Sequence, residues 1–225
     1  MDDMDTVESV NMMIRGGSDE WWKEVISNTH QYFGEQLPLK MRKMSLKNYD
    51  WAWNNKHNSD AYLAIIAYSE KYTTKTRKSL FISGDIGTGK THLMIGIVRK
   101  GINQGVRPYF ITQMQLNDAI RHMFSNDQDL FEPYLRAQRA FHLIIDDLGD
   151  GRITDTIAEY TESLIKDRLE QGRLTHITTN YSGAELSGLF SKRLIDRFRD
   201  YCEIIELRGQ SYRGSNKSIE SKKEN

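Results

Sequence analysis

Apolar and polar positions follow one rhythm up to about residue 78 and another beyond it. Over residues 59–72 (SDAYLAIIAYSEKY) apolar side chains occupy most of the helical circumference, which predicts a helix packed on several sides. From Ser79 onward short apolar runs alternate with longer amphipathic stretches. The runs 79–83, 108–112, 141–146, 174–179 and 202–207 read as strands. Helices are expected over 89–103, 114–124 and 153–172, with one or two more across 183–199. Strands separated by helices predict a parallel five-stranded α/β sheet flanked by helices on both faces.

The N-terminal stretch reads as two short helices. Thr6 can cap the first, which carries Val7, Val10 and Ile14 on one face and breaks at Gly16-Gly17. Ser18 can cap the second, with Asp19 and Glu20 in its first turn and Gly34 as its stop. The organisation expected is a helical hairpin over 1–36, a basic connector over 37–58, an α/β domain over 59–214 and a tail over 215–225. The hairpin exposes Trp21, Trp22 and Phe33 as candidate partner-binding anchors, since aromatic side chains carry much of the energy of protein interfaces.

Charge sharpens this division. Lys+Arg and Asp+Glu number 31 each. Residues 1–36 nevertheless hold eight acids against two bases, so an acidic head precedes a mildly basic body. Cys202 is the lone cysteine, which excludes an internal disulfide and points to a reducing, cytoplasmic setting. No apolar run approaches the roughly 20 residues of a membrane-spanning helix. The acidic start of the chain does not resemble a signal peptide. Six scattered histidines and one cysteine give no zinc-ligand spacing.

The clearest chemistry lies between the first strand and its helix. Gly84, Asp85, Ile86, Gly87, Thr88, Gly89, Lys90 and Thr91 fit G-x-x-x-x-G-K-[ST] at every fixed position. Glycines let the backbone curl so that its N–H groups converge on phosphate oxygens, and the helix N-terminus adds the positive end of its dipole. Lys90 brings a point charge to the β- and γ-phosphates, and the Thr91 hydroxyl can ligate Mg²⁺. His92 follows directly and completes the expected ATP-binding stretch. The strand at 141–146 ends in Asp146 and Asp147. Asp146 suits Mg²⁺, and Asp147 suits the orientation or deprotonation of a lytic water. A whole strand–helix unit, 108–124, lies between this strand and the phosphate-loop strand, as in NTPases that insert a further strand between the two. Asn180, after the next strand, can place its amide near the γ-phosphate.

Together, GDIGTGKTH at 84–92, LIIDDLG at 143–149, TTN at 178–180, SKRLIDRF at 191–198 and SYR at 211–213 resemble the DnaC/DnaI-type replicative helicase loaders. With the IstB transposition helpers these form a branch of the AAA+ ATPases, which are P-loop proteins of the ASCE type. The resemblance implies that Arg197 is an arginine finger offered to ATP on a neighbouring subunit, with Arg193 as its rival one turn earlier. It implies that Arg213 is the sensor-2 arginine. It further implies single-stranded DNA contacts after the second strand (Arg121, His122, Phe124) and after the third (Arg152, Thr154, Thr156). The cofactors implied are ATP and Mg²⁺. The implied partners are a DnaB-like hexameric helicase, single-stranded DNA and further copies of the chain, with no membrane.

Two departures qualify the likeness. Asp147 stands where many AAA+ ATPases carry Glu, so slow hydrolysis is expected. The zinc-binding N-terminal domain of DnaI-type loaders cannot be built from one cysteine, which favours the DnaC arrangement and an origin on a mobile element. Few residues follow Arg213, so a helical lid is not expected. The function implied is ATP-dependent loading of a replicative helicase onto single-stranded DNA. The alternatives are an IstB-like transposase helper and a non-hydrolysing ATP-binding adaptor.

Overall fold

A computed structural model describes residues 19–123 and 128–212. The expected first helix at 6–16, the Ser18 cap and the tail at 215–225 lie outside the described residues. The elements are α1 (Asp19–Gln36), α2 (Asn55–Lys71), β1 (Ser79–Gly84), α3 (Lys90–Ile102), β2 (Pro108–Thr112), α4 (Gln113–His122) and α5 (Gln128–Arg139). They continue as β3 (His142–Asp146), α6 (Asp155–Glu170), β4 (Leu174–Thr178), α7 (Gly183–Leu189), α8 (Lys192–Tyr201) and β5 (Cys202–Leu207). All strand pairs are parallel, in the order β2-β3-β4-β1-β5. Strand β4 therefore separates the phosphate-loop strand β1 from β3, the insertion that the sequence spacing predicted.

The strands read as apolar runs because both faces of the sheet are covered. One core joins Phe33, Tyr62, Ile65, Leu93, Ile97 and their neighbours from α1, α2 and α3. The other joins Leu116, Ile120, Ile165, Leu194 and Phe198 from α4, α6 and α8. Local signals set the helix starts. Thr112 and Gln115 form a reciprocal capping box on α4, as Ser182 and Glu185 do on α7. The Thr154 hydroxyl accepts from Ile157 N at the start of α6.

Several boundaries differ from expectation, each for a physical reason. Helix α1 runs through Gly34 to Gln36. The Gln36 carboxamide then accepts from Phe110 N at 2.7 Å, which satisfies a donor on the outer edge strand β2. Phe33 is fully buried in the core beneath Arg99, so it is not a docking anchor: the face of α1 that carries it is the face that meets the body. Helix α2 begins at Asn55, ahead of the expected 59. The stretch 37–58 packs on the body, with Leu37 and Tyr49 in the core and short 3₁₀ turns at Leu39–Met41 and Leu46–Asn48. Helix α5 was not expected. Pro133 sits inside it and masks the Phe131, Tyr134, Ala137 stripe that faces the core.

Arg168 is buried on α6 without an ion pair among the described residues. Its guanidinium donates to the carbonyls of Ala137, Gln138 and Ala140 where α5 ends, to the Leu174 carbonyl, and to the Thr175 hydroxyl. The planar fork suits this work, because it places several donors at once on acceptors that would otherwise be stranded. Burial, with Arg173 nearby, pushes its pKa down to about 9. Arg168→Met should cost about 3 kcal/mol through stranded carbonyls, read as a lower urea midpoint, and Arg168→Lys should fail to restore it.

Candidate nucleotide-binding site

The carboxyl ends of β1, β3 and β4 converge on the phosphate loop. Gly84, Gly87 and Gly89 all adopt positive φ. A methyl group at Gly84 would sit 1.8 Å from the Leu207 carbonyl, so this position requires glycine on space as well as conformation. Asp85 braces the loop: its N–H donates to the Leu207 carbonyl, and its carboxylate accepts from Gly209 N at 2.8 Å. Thr88 closes a tight turn on the Asp85 carbonyl. Lys90 is buried, and its ammonium donates to the Gly84 and Asp85 carbonyls at 2.8 Å each. The charge is thus folded over the loop that phosphates would enter.

Asp146 is the centre of the site. Its Oδ1 accepts from the Thr91 hydroxyl at 2.9 Å and from the Thr178 hydroxyl at 2.5 Å. Its Oδ2 is buried with no hydrogen-bond partner among the described residues. Burial, and then the charge of Asp147, raise its pKa to about 6, against the opposing pull of the two hydroxyls and Lys90. A buried carboxylate with one satisfied oxygen and one orphaned oxygen, beside a threonine hydroxyl, fits a hard divalent cation. Asp146 and Thr91 are the residues that would hold Mg²⁺.

Thr178 entered the sequence reading only as the first residue of TTN at 178–180, with no role of its own. Its hydroxyl donates to Asp146 and accepts from Asp147 N at 2.9 Å, so one side chain ties the end of β4 to both acids of β3. Asp147 adopts φ 55°, a left-handed conformation uncommon outside glycine and asparagine or aspartate. That turn carries its carboxylate toward Asn180, whose Nδ2 lies 3.3 Å from Asp147 Oδ1. The expected pair Asp147 and Asn180 is therefore brought together at the rim of the loop.

These residues open onto a cleft of about 240 Å³ whose other walls come from sequence-distant segments. Met44, Asn48, Tyr49 and Trp53 line one side and Tyr212 another. The Tyr49 hydroxyl reaches the Thr88 carbonyl at 3.0 Å, and its ring lies against Gly89. His92 Nε2 contacts the Ser45 carbonyl and Asn48 Oδ1, which fixes this wall to the start of α3, and burial lowers its pKa. Trp53 Nε1 and Asn54 Nδ2 both donate to the Gln210 carbonyl, while Tyr212 N donates to the Gly87 carbonyl. The segment leading to Arg213 is thereby pinned beside the loop, although Arg213 itself lies outside the described residues.

The remaining candidates lie apart from this cleft. Arg193 is exposed on α8 without an ion pair among the described residues, and Arg197 is half-buried and paired with Glu170 at 2.7 Å. Arg121 is paired with Asp118, Arg152 and Thr156 are exposed, and the Thr154 hydroxyl is used as the α6 cap. His122 ends α4. Phe124 and the side chains of Trp21 and Trp22 lie outside the described residues.

Two measurements test this geometry. Thr178→Val should lower stability by about 1–3 kcal/mol, because it strands Asp147 N–H and removes one of two donors from Asp146, and Thr178→Ser should restore it. The Asp146 carboxyl is raised above its unfolded value of 3.8. Without metal its contribution to stability should therefore fall as pH rises from about 4 to about 6, whereas the Mg²⁺-dependent part of ATP affinity should fade as pH drops below about 6. Denaturant melts and calorimetry across that range read both.

The chain matches the IstB-like ATP binding protein family over residues 24–220. It is 29% identical over 154 residues to an ATP-binding protein of insertion sequence IS5376 from Geobacillus stearothermophilus, covering 66% of this chain and 60% of that protein. It is 29% identical over 126 residues to the replicative helicase loader DnaC of Escherichia coli K12, covering 54% of this chain and 50% of DnaC. The chain thus spans 60% or less of these relatives. A crystal structure of the DnaC helicase loader superposes with a TM-score of 0.66 at 23% identity, covering 76% of this chain and 99% of that one, and so shares the fold. The chain belongs to the IstB-like ATP binding protein family, in the AAA+ branch that also holds the DnaC-type loaders.

Proposed function

We propose that this chain is an ATP-dependent loader that places a hexameric replicative helicase on single-stranded DNA. The observation that supports this reading most is the continuous line from the phosphate loop through Asp146 and Thr178 to Asp147 and Asn180. On this reading the line joins the carboxylate assigned to the metal, the carboxylate assigned to water and the amide assigned as sensor in one hydrogen-bonded set. In this reading the backbone curl and Lys90 bind the triphosphate. Mg²⁺ at Asp146 and Thr91 would neutralise phosphate charge. Asp147 accepts a proton from water, and Asn180 holds the Asp147 carboxylate in position.

Arg193 and Arg197 do not line their own cleft, which suits a role toward ATP on a neighbouring subunit. Arg197 would exchange Glu170 for that phosphate, whereas Arg193 has no ion pair to break among the described residues. Assembly then depends on nucleotide, because only an oligomer completes the charge around the γ-phosphate. The exposed side chains Arg121, Arg152 and Thr156 are the ones this reading assigns to single-stranded DNA, together with Phe124. Trp21 and Trp22 on the acidic N-terminal helix are assigned to the helicase.

A second reading, an ATPase that assists a transposase, draws on the IS5376 relative. It keeps the same ATP chemistry and changes the partner. Helicase loading onto circular single-stranded DNA, and co-purification with a helicase or a transposase, separate the two.

Lys90→Ala should abolish ATP binding by calorimetry. Arg197→Ala should keep binding and lose ATP-dependent assembly by light scattering, together with at least roughly tenfold of any stimulated turnover, a modest share of the effect known for arginine fingers. If Arg193→Ala rather than Arg197→Ala loses assembly, the finger is Arg193. Asp147→Asn with turnover equal to wild type would leave ATP as a structural ligand and reduce the protein to an adaptor.

A further inference from the structure

Because every strand is parallel, the segments entering the strands gather at the end of the sheet opposite the phosphate loop. The segments leading into β1, β2, β3 and β4 are residues 71–78, 103–107, 136–141 and 171–173. They contain eight Lys and Arg and not one Asp or Glu. Lys71, Lys75, Arg77 and Lys78 precede β1, and Arg107 precedes β2. Arg136 and Arg139 end α5 before β3, and Arg173 precedes β4. All but Arg173 are exposed, and among the described residues only Arg136 has an ion pair, with Glu132. Acids border this face rather than enter it: Glu70 and Glu170, in the last turns of α2 and α6, are paired with Lys100 and Arg197, and Asp200 and Glu203 flank the start of β5.

This face is not flat. A groove of about 690 Å³, larger than the nucleotide cleft, runs between α1 and the starts of β2 and β3. Arg107, Arg136 and Arg139 stand along it. Tyr32, Tyr109 and Phe141 offer aromatic surface in the same groove, Tyr32 being 48% exposed. The α1 side adds Val25, Asn28 and Thr29, and among the described residues no carboxylate lines the groove, Glu132 standing just outside it on Arg136. Uncompensated cations cost free energy through mutual repulsion unless a polyanion neutralises them. Guanidinium and ammonium groups that track a groove with aromatic faces set between them match a phosphate backbone whose bases stack rather than pair.

We infer that this basic end face binds single-stranded nucleic acid, at a site separate from the nucleotide cleft and from the surfaces near α4 and α6. Cations supply phosphate contacts, and Tyr32 and its aromatic neighbours supply stacking. The assignment does not depend on ATP chemistry or on helicase loading. Either can fail while the other holds.

The test uses the full chain and a fluorescein-labelled oligothymidylate, followed by anisotropy across a salt series. The variant Lys75→Ala/Lys78→Ala/Arg107→Ala/Arg139→Ala should weaken binding at least about tenfold and reduce the salt slope by roughly two to three. Mg²⁺-ATP binding should stay unchanged, which also reports that the variant is folded. Tyr32→Ala should weaken binding with the salt slope preserved, as loss of stacking requires. Unchanged affinity and slope in the quadruple variant would overturn the proposal. Tighter binding to duplex DNA, or equal binding to polyglutamate, would overturn its assignment to single strands.

Discussion

The burial of one carboxylate, Asp146, organises the functional end of the molecule. Placing an anion in the interior is costly unless hydrogen bonds or a cation offset it. Here two threonine hydroxyls hold one oxygen, and the other oxygen is buried and unmatched among the described residues. The hydroxyls come from α3 and β4, so meeting the demand of Asp146 sets the phosphate loop, β3 and β4 in mutual register. Thr178 carries the constraint one step further by accepting from Asp147 N. The unusual backbone of Asp147 and its contact with Asn180 follow from that fixed turn.

Around this centre, two segments far apart in sequence clasp the loop. Residues 44–58 reach it through Tyr49 and His92, and residues 207–212 reach it through Asp85 and Gly87. The two segments also hold each other, through Trp53 and Asn54 on Gln210 and through Asn58 on Arg208. Close approach explains the glycines: side chains at Gly87 and Gly89 would strike Ser211 and Tyr49. A ligand that moves the loop therefore moves both clasps. Such coupling gives a nucleotide a physical route to surfaces outside its cleft, provided the ligand favours one arrangement over another.

Much of this was legible in the sequence because the informative patterns are local. Strand β1, the phosphate loop and helix α3 are contiguous, and Asp146 ends an apolar run whose period needs no partner to be read. Tertiary contributions were hidden. Phe33 belongs to an amphipathic helix, and the pattern alone does not say whether its aromatic face meets solvent or the body. Gly34 suggested a helix end, yet a side chain there would meet nothing within 4 Å, so no packing demand turns the chain at that point. Pro133 hid α5, although Tyr134 and Ala137 bury against the sheet. Thr178 stood in the TTN stretch without a role, since a hydroxyl becomes functional only through the acids of a neighbouring strand. The aromatic cleft walls Tyr49 and Trp53 are joined to the loop by folding and by no motif, and Tyr212 was legible only as the middle of SYR, with no place beside the loop.

The most direct test asks whether the unmatched oxygen of Asp146 holds a metal ion. Mn²⁺ can stand in for Mg²⁺, and its electron paramagnetic resonance spectrum can be recorded with ATP on the full chain. The account predicts an immobilised Mn²⁺ signal that requires ATP and reverts to the solution Mn²⁺–ATP spectrum in Asp146→Asn. An identical immobilised spectrum in wild type and Asp146→Asn would contradict it.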